Sequence, residues 1–147
     1  MMKRVLIVLF CLVLFVQPFA VSAAEAPAAA ERVYLDDGSY FVTTLTVTDS
    51  RAAYTRTASK TTTYYTSNNV AIWALHLTGD FYYNYGVSAT ATNAQASVSI
   101  YDSNAAMQIC DAYTSGSAAF GYATVRYMNR LTEKEISLNC DKYGNIT

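Results

Sequence analysis

The chain has 147 residues, 52% of them hydrophobic, with ten Lys and Arg against eleven Asp and Glu. That length suits one domain with a modest core. A charge-poor chain with no basic patch argues against a nucleic-acid partner. Zinc needs three or four ligands, which one histidine and the two cysteines outside the N-terminal apolar run, expected to be bridged, do not supply.

The N-terminus opens with Lys3 and Arg4, followed by an unbroken apolar run over 5–16. Gln17 and Pro18 end the run, and Val21, Ser22, Ala23 and Ala24 follow with small residues. This order predicts a cleaved signal peptide over 1–23, cut after Ala23, with Ala24 or Ala26 as alternatives. A spanning helix would need about 20 apolar residues, and Pro18 falls short of that. Cys11 lies inside the run with no lipobox. The expectation is a secreted, extracellular chain with no membrane association after cleavage. The mature chain keeps eight basic and eleven acidic residues, a net charge of −3, and two cysteines, Cys110 and Cys140. An even pair in an oxidising compartment predicts one disulfide. Its loop of about 30 residues would contribute on the order of 3 kcal/mol.

Residues 24–34 read as a flexible lead, and 35–147 as a single β domain. Asp36, Asp37 and Gly38 signal a turn. A strand is expected over 40–47, with Phe41, Leu45 and Val47 on one parity. The polar stretch 49–59, carrying Arg51 and Arg56, reads as a loop. A Thr/Tyr-rich strand follows over 60–66, turned by Ser67, Asn68 and Asn69. Over 70–83 the alternation is the clearest in the chain. Trp73, Leu75, Leu77, Gly79, Phe81 and Tyr83 share one parity, and His76, Thr78, Asp80 and Tyr82 the other. That pattern predicts a long strand with one buried face. Asn84, Tyr85 and Gly86 form the hairpin turn. In the return strand Ala89 and Ala91 are on odd positions, while Ala94, Ala96, Val98 and Ile100 are on even ones. The flip at Asn93 predicts a β-bulge. Asp102, Ser103 and Asn104 turn the chain again. Strands are expected over 107–113 and 118–128, the second ending in a tight turn at Asn129 and Arg130. The last is expected over 133–140, with Ile136, Leu138 and Cys140 on the core side. About seven short strands with no internal helix predict an all-β, antiparallel two-sheet sandwich, immunoglobulin-like in general architecture.

Several motifs in order resemble those of an uncharacterised family of small secreted proteins from Gram-positive, Clostridia-like bacteria. They begin with Leu35-Asp36-Asp37-Gly38-Ser39-Tyr40-Phe41-Val42-Thr43-Thr44, followed by the Ser-Lys-Thr-x-Thr stretch at 59–63. Next come Trp73 and the Thr-Gly-x-Phe-x-Tyr-Asn segment at 78–84, the Ser-x-Tyr-x-Ser-x segment at 99–104, and the Cys strand with its Gly-Asn tail at 138–145. The resemblance implies secretion and a β-sandwich-like fold, and brings no activity. The family often has a cysteine after the hairpin, where this chain has Ala89, Thr90 and Ala91. Tyr85 also splits the usual Asn-Gly turn.

Chemistry-bearing residues are sparse. His76 sits on the outward parity of its strand, away from any nucleophile-elbow pattern. Asp36, Asp37, Asp80 and Asp102 lack calcium-loop spacing and read as turn residues. Glu133 and Glu135 share a strand face about 7 Å apart. The run Phe81-Tyr82-Tyr83-Asn84-Tyr85 supplies the candidate binding aromatics, Tyr82 and Tyr85. Their rings could stack on sugars or fill a partner's pocket, while packing of Tyr82 on Tyr64 or Tyr65 is the competing reading. The expectation is a non-enzymatic binding module without cofactor, metal or catalytic residues, whose partner is an extracellular protein or glycan. A small secreted hydrolase and a toxin or bacteriocin-like factor are the alternatives.

Overall fold

The computed structural model describes residues 30–49 and 54–147. The expected signal peptide (1–23), its cut at Ala23 or Ala24, and residues 24–29 of the lead lie outside the described residues. Among the described residues, eight antiparallel strands follow one another as a plain meander. A five-stranded sheet contains β1 (Glu31–Tyr34), β2 (Tyr40–Asp49), β3 (Thr55–Tyr65), β4 (Ala71–Asn84) and β5 (Ser88–Ile100), in that order. A three-stranded sheet contains β6 (Ala105–Ser115), β7 (Ala118–Tyr127) and β8 (Arg130–Asn139). The two-sheet antiparallel sandwich is therefore the architecture. Its likeness to an immunoglobulin domain lies in the stacked sheets, since no Greek-key crossover occurs.

The alternation in β4 builds the core. Trp73, Leu75, Leu77 and Phe81 are almost fully buried, and β7 and β8 answer with Ala119, Ala123, Val125, Ile136 and Leu138. Each large side chain buried this way stabilises by roughly 1.5–3 kcal/mol. Small residues let the central strands approach closely. A Cβ on Gly79 would lie 2.9 Å from the Cβ of Ala119, and one on Gly121 would lie 3.1 Å from Leu77 Cδ1. β6 lies against β5, β7 against β4, and β8 against β3. The five-stranded sheet therefore extends past β8, and among the described residues no strand is stacked on β1 and β2. Leu45 and Val47 are only half-buried as a result.

The predicted bulge is present. Phe81 pairs with Ala91 and Asp80 with Asn93, so Thr92 is the extra residue. The β4–β5 turn is closed by Val87 N donating to Asn84 O, with Gly86 at φ 75°.

Four expectations need correction. β1 forms within the stretch read as flexible lead, which makes eight strands in place of about seven. Its four residues are all exposed, so the segment has no periodicity to read. β3 begins at Thr55, inside the stretch read as a loop, because Thr57 and Ser59 face outward while Ala58 alone is fully buried there. The expected disulfide between Cys110 and Cys140 is absent, and among the described residues both are free. Cys110 on β6 is level with Ala123 on β7, and Ala123 with Lys134 on β8. Cys140 lies six residues further along the β8 direction, about 20 Å at 3.3 Å per residue, and two strands across. A bridge needs Cα atoms within about 7 Å. Burial pushes both thiols up in pKa, aided by Asp111 and Asp141 respectively. The last tight turn is formed by Met128 and Asn129, both at positive φ, and Arg130 opens β8.

Candidate binding surfaces

Alternation that drives Leu75 and Leu77 inward drives the neighbouring residues out. The outer face of the five-stranded sheet is consequently a grid of small polar side chains. One cross-strand line runs Thr44–Thr61–His76–Ser97, the next Thr46–Ser59–Thr78–Gln95, and the third Thr48–Thr57–Asp80–Asn93. Neighbours along a line are about 4.8 Å apart, and lines are separated by about 7 Å. Many of these groups bond to one another. Thr61 Oγ1 and His76 Nδ1 are 3.0 Å apart, as are His76 Nε2 and Ser99 Oγ, and Ser59 Oγ and Thr78 Oγ1. Asp80 accepts from Thr57 Oγ1 at 2.7 Å and from Asn93 Nδ2 at 3.1 Å. The three lines contain one carboxylate and one imidazole among ten hydroxyl and amide side chains. Each hydroxyl can donate one hydrogen bond and accept two, so the grid keeps spare capacity at its surface.

Tyr82 stands at one end of this grid, between Thr55 and Thr90, with half of its surface exposed. It does not pack on Tyr64 or Tyr65, because Tyr64 lies opposite Trp73 and Tyr65 opposite Ala71. Tyr85 belongs to a separate cluster at the hairpin tip. Its ring meets Tyr143 edge to face at 5.3 Å, and Gly86 N donates to Lys142 O at 2.9 Å. Below them, Tyr83 is wedged against Gly144, meets Tyr54 edge-on at 6.0 Å, and lies 5.4 Å from the Arg56 guanidinium. The two candidate aromatics thus occupy one end of the sandwich but different surfaces.

The outer face of the three-stranded sheet has a different chemistry. Tyr113 stacks on Phe120 at 4.9 Å. Tyr122 lies between Asp111 and Glu135 on its two neighbouring strands. A shallow depression of about 300 Å³ is lined by Ile109, Tyr122, Ala123, Thr124, Glu133, Lys134 and Glu135. The two glutamates noted in the sequence flank this depression.

The remaining sequence candidates are local. Asp37 accepts from Ser39 N and Ser39 Oγ, and its other oxygen meets Arg130 Nη1 at 2.5 Å. The Ser39 bonds chiefly, then Arg130, hold this carboxyl down at about 2. Asp102 accepts from Asn104 N at 2.8 Å, as a turn aspartate does. His76 has hydroxyls on both ring nitrogens. Among the described residues, no three His, Cys, Asp or Glu side chains group as metal ligands would, and no helix is long and apolar enough to cross a membrane.

Sequence reasoning missed both outer faces as surfaces. Period-two Thr and Ser at 44, 46, 48 and at 57, 59, 61, 63 was the available signal for the first. For the second, the cross-strand partners of Tyr122 required a register that only pairing supplies. No protein-family model, curated protein or solved structure matches the chain.

Proposed function

We propose that this chain is a secreted, non-enzymatic binding module that holds a neutral glycan on the outer face of its five-stranded sheet. The reading rests on the hydroxyl and amide grid, with its near absence of charge and an exposed Tyr82 at its end. Sugar hydroxyls both donate and accept, and Thr, Ser, Asn and Gln side chains can match either role. A charge-poor face carries a small desolvation penalty when a neutral ligand covers it. An exposed tyrosine ring offers its apolar face to the C–H face of a sugar while its hydroxyl stays wet. An elongated grid suits an extended chain lying along the strands, with Tyr82 gripping one end. Extracellular placement is supported by the signal-like order of charge, apolar run and small residues before Ala24, and by the resemblance to small secreted proteins.

The test is titration of the mature protein with soluble neutral oligosaccharides, followed by amide chemical shifts. Changes should cluster on the outward residues of β3, β4 and β5. Tyr82→Ala should weaken binding roughly two- to tenfold, the range of one aromatic contact, and Thr78→Val should weaken it without altering the fold. A panel of neutral glycans that leaves the shifts of Thr61, Thr78 and Tyr82 unchanged would overturn the reading. Cleavage of a bound glycan would move it to the hydrolase alternative.

A further inference from the structure

The two sheets have unequal widths, and among the described residues no strand lies beside β8 over β2. Among the described residues β8 pairs with β7 along one side, and on its other edge only its last residue, Asn139, is paired, with Thr147. Its other edge faces the space over β2, where Leu45 is half-buried and the Phe41 ring is roofed by the Lys134 ammonium at 4.9 Å. The backbone groups of Asn139, Ser137, Glu135 and Glu133 point to that edge, since alternate residues of an antiparallel strand bond to opposite sides.

The chain itself shows how a strand sits there. After the turn at Asp141, the backbone doubles back and pairs with β8. Cys140 bridges Ile146, Asn139 N donates to Thr147 O at 2.9 Å, and Thr147 N returns the bond to Asn139 O at 3.0 Å. Ile146 packs inward against the core. One step further along, Lys60 reaches across from β3 and its Nζ donates to Ser137 O at 2.5 Å. Burial lowers the pKa of this ammonium, with Glu31 opposing. A lysine pointing inward at a free edge is a known guard against unwanted strand pairing. Beyond it, the edge groups of Glu135 and Glu133 face the space over β2.

We propose that the β8 edge is a strand-acceptor site for an extended peptide segment of a partner protein, with apolar and basic residues alternating. The alternation follows from the register. Residues opposite Ile136 and Lys134 would point inward, beside half-buried Leu45 and the Lys134 stem that covers Phe41. Residues opposite Glu135 and Glu133 would point outward beside those carboxylates, where opposite charges across strands attract. The occupant is a peptide and not the β8 edge of a second copy. The overhanging β1 and β2 leave room for about two strand widths, roughly 10 Å, and a whole second sandwich would collide with them.

The probe is an acetylated, amidated hexapeptide alternating valine and lysine, added to the full mature chain. Amide exchange at Glu133 and Glu135 should slow markedly, while amides of β5 stay unchanged. Methylating the peptide nitrogens that face β8 should weaken binding by about tenfold or more through the lost hydrogen bonds. Methylating those facing away should have little effect. Lys60→Met should bind the peptide more tightly, and the Glu133→Gln, Glu135→Gln double variant less tightly. Unchanged exchange at Glu133 and Glu135 under saturating peptide would overturn the proposal, and so would equal losses from the two methylation patterns. A concentration-dependent dimer protecting the same amides would replace the partner with a second copy and overturn it as well.

Discussion

Gly79 faces Ala119 of the opposite sheet with no room for a side chain. A methyl group there would meet the Ala119 Cβ and the Phe81 ring, both at 2.9 Å, and those neighbours are themselves buried. Overpacking of a tight core costs about 1–3 kcal/mol, against about 0.5–1 kcal/mol recovered by replacing a strand glycine with alanine. Gly79→Ala should therefore lose about 1–2 kcal/mol in urea unfolding. Gly121→Ala should lose less, since its nearest neighbour, Leu77 Cδ1 at 3.1 Å, is the end of a side chain that can turn aside. Equal losses at the two positions would mean that sheet separation adjusts freely. Trp73 illustrates a different cost at this scale. Its Nε1 is buried and has no hydrogen-bond partner among the described residues, so its place there rests on packing against Phe41 and Tyr64.

The bulge in β5 makes a sharper statement about elements. Thr92 is bypassed by the pairing, with Ala91 opposite Phe81 and Asn93 opposite Asp80. Deleting Thr92 should leave both pairs in register and every following side chain on its present face. The loss is the bend, together with the 3.1 Å bond from Thr92 Oγ1 to Asp80 O, and should be about 1–2 kcal/mol. Deleting Ser97 instead would throw Val98 to the solvent side, because a one-residue slip inverts a strand. The Thr92 deletion should therefore melt cooperatively a few degrees below the parent, with the Ser97 deletion unfolded or far lower. Matching melting temperatures would contradict the register. This bulge was legible in the sequence because the parity of alanines changes at Asn93. β1 was not legible, having four exposed residues and no periodicity. The start of β3 was hidden because an outward face of threonine and serine imitates a loop when its inward partners are small.

At the scale of the whole molecule, chain order and sheet order coincide, and that has a consequence for folding. The first five strands form one sheet and the last three the other, joined through the short link anchored by Tyr101 N and Asp102 N on Ile72 O. The disulfide expectation failed at this scale. Neither cysteine is misplaced on its own strand, and Cys140 does face the core as its parity required. Strand order, which no local pattern encodes, separates them by β7 and about 20 Å of strand. The meander also means that each sheet is contiguous in sequence, yet neither owns its core. Trp73, Leu75, Leu77 and Phe81 come from one sheet, and Ala119, Val125, Ile136 and Leu138 from the other. A sheet with one apolar face uncovered lacks the second layer that domains require. Cutting the chain at Ser103 should then give two fragments that are each unfolded or aggregated by circular dichroism and amide dispersion. Mixed during refolding, they should regain the native spectrum, since no backbone hydrogen bond of either sheet is lost by the cut. A first fragment that folds cooperatively alone would show that the five-stranded sheet is self-sufficient, and the shared core would be secondary to it.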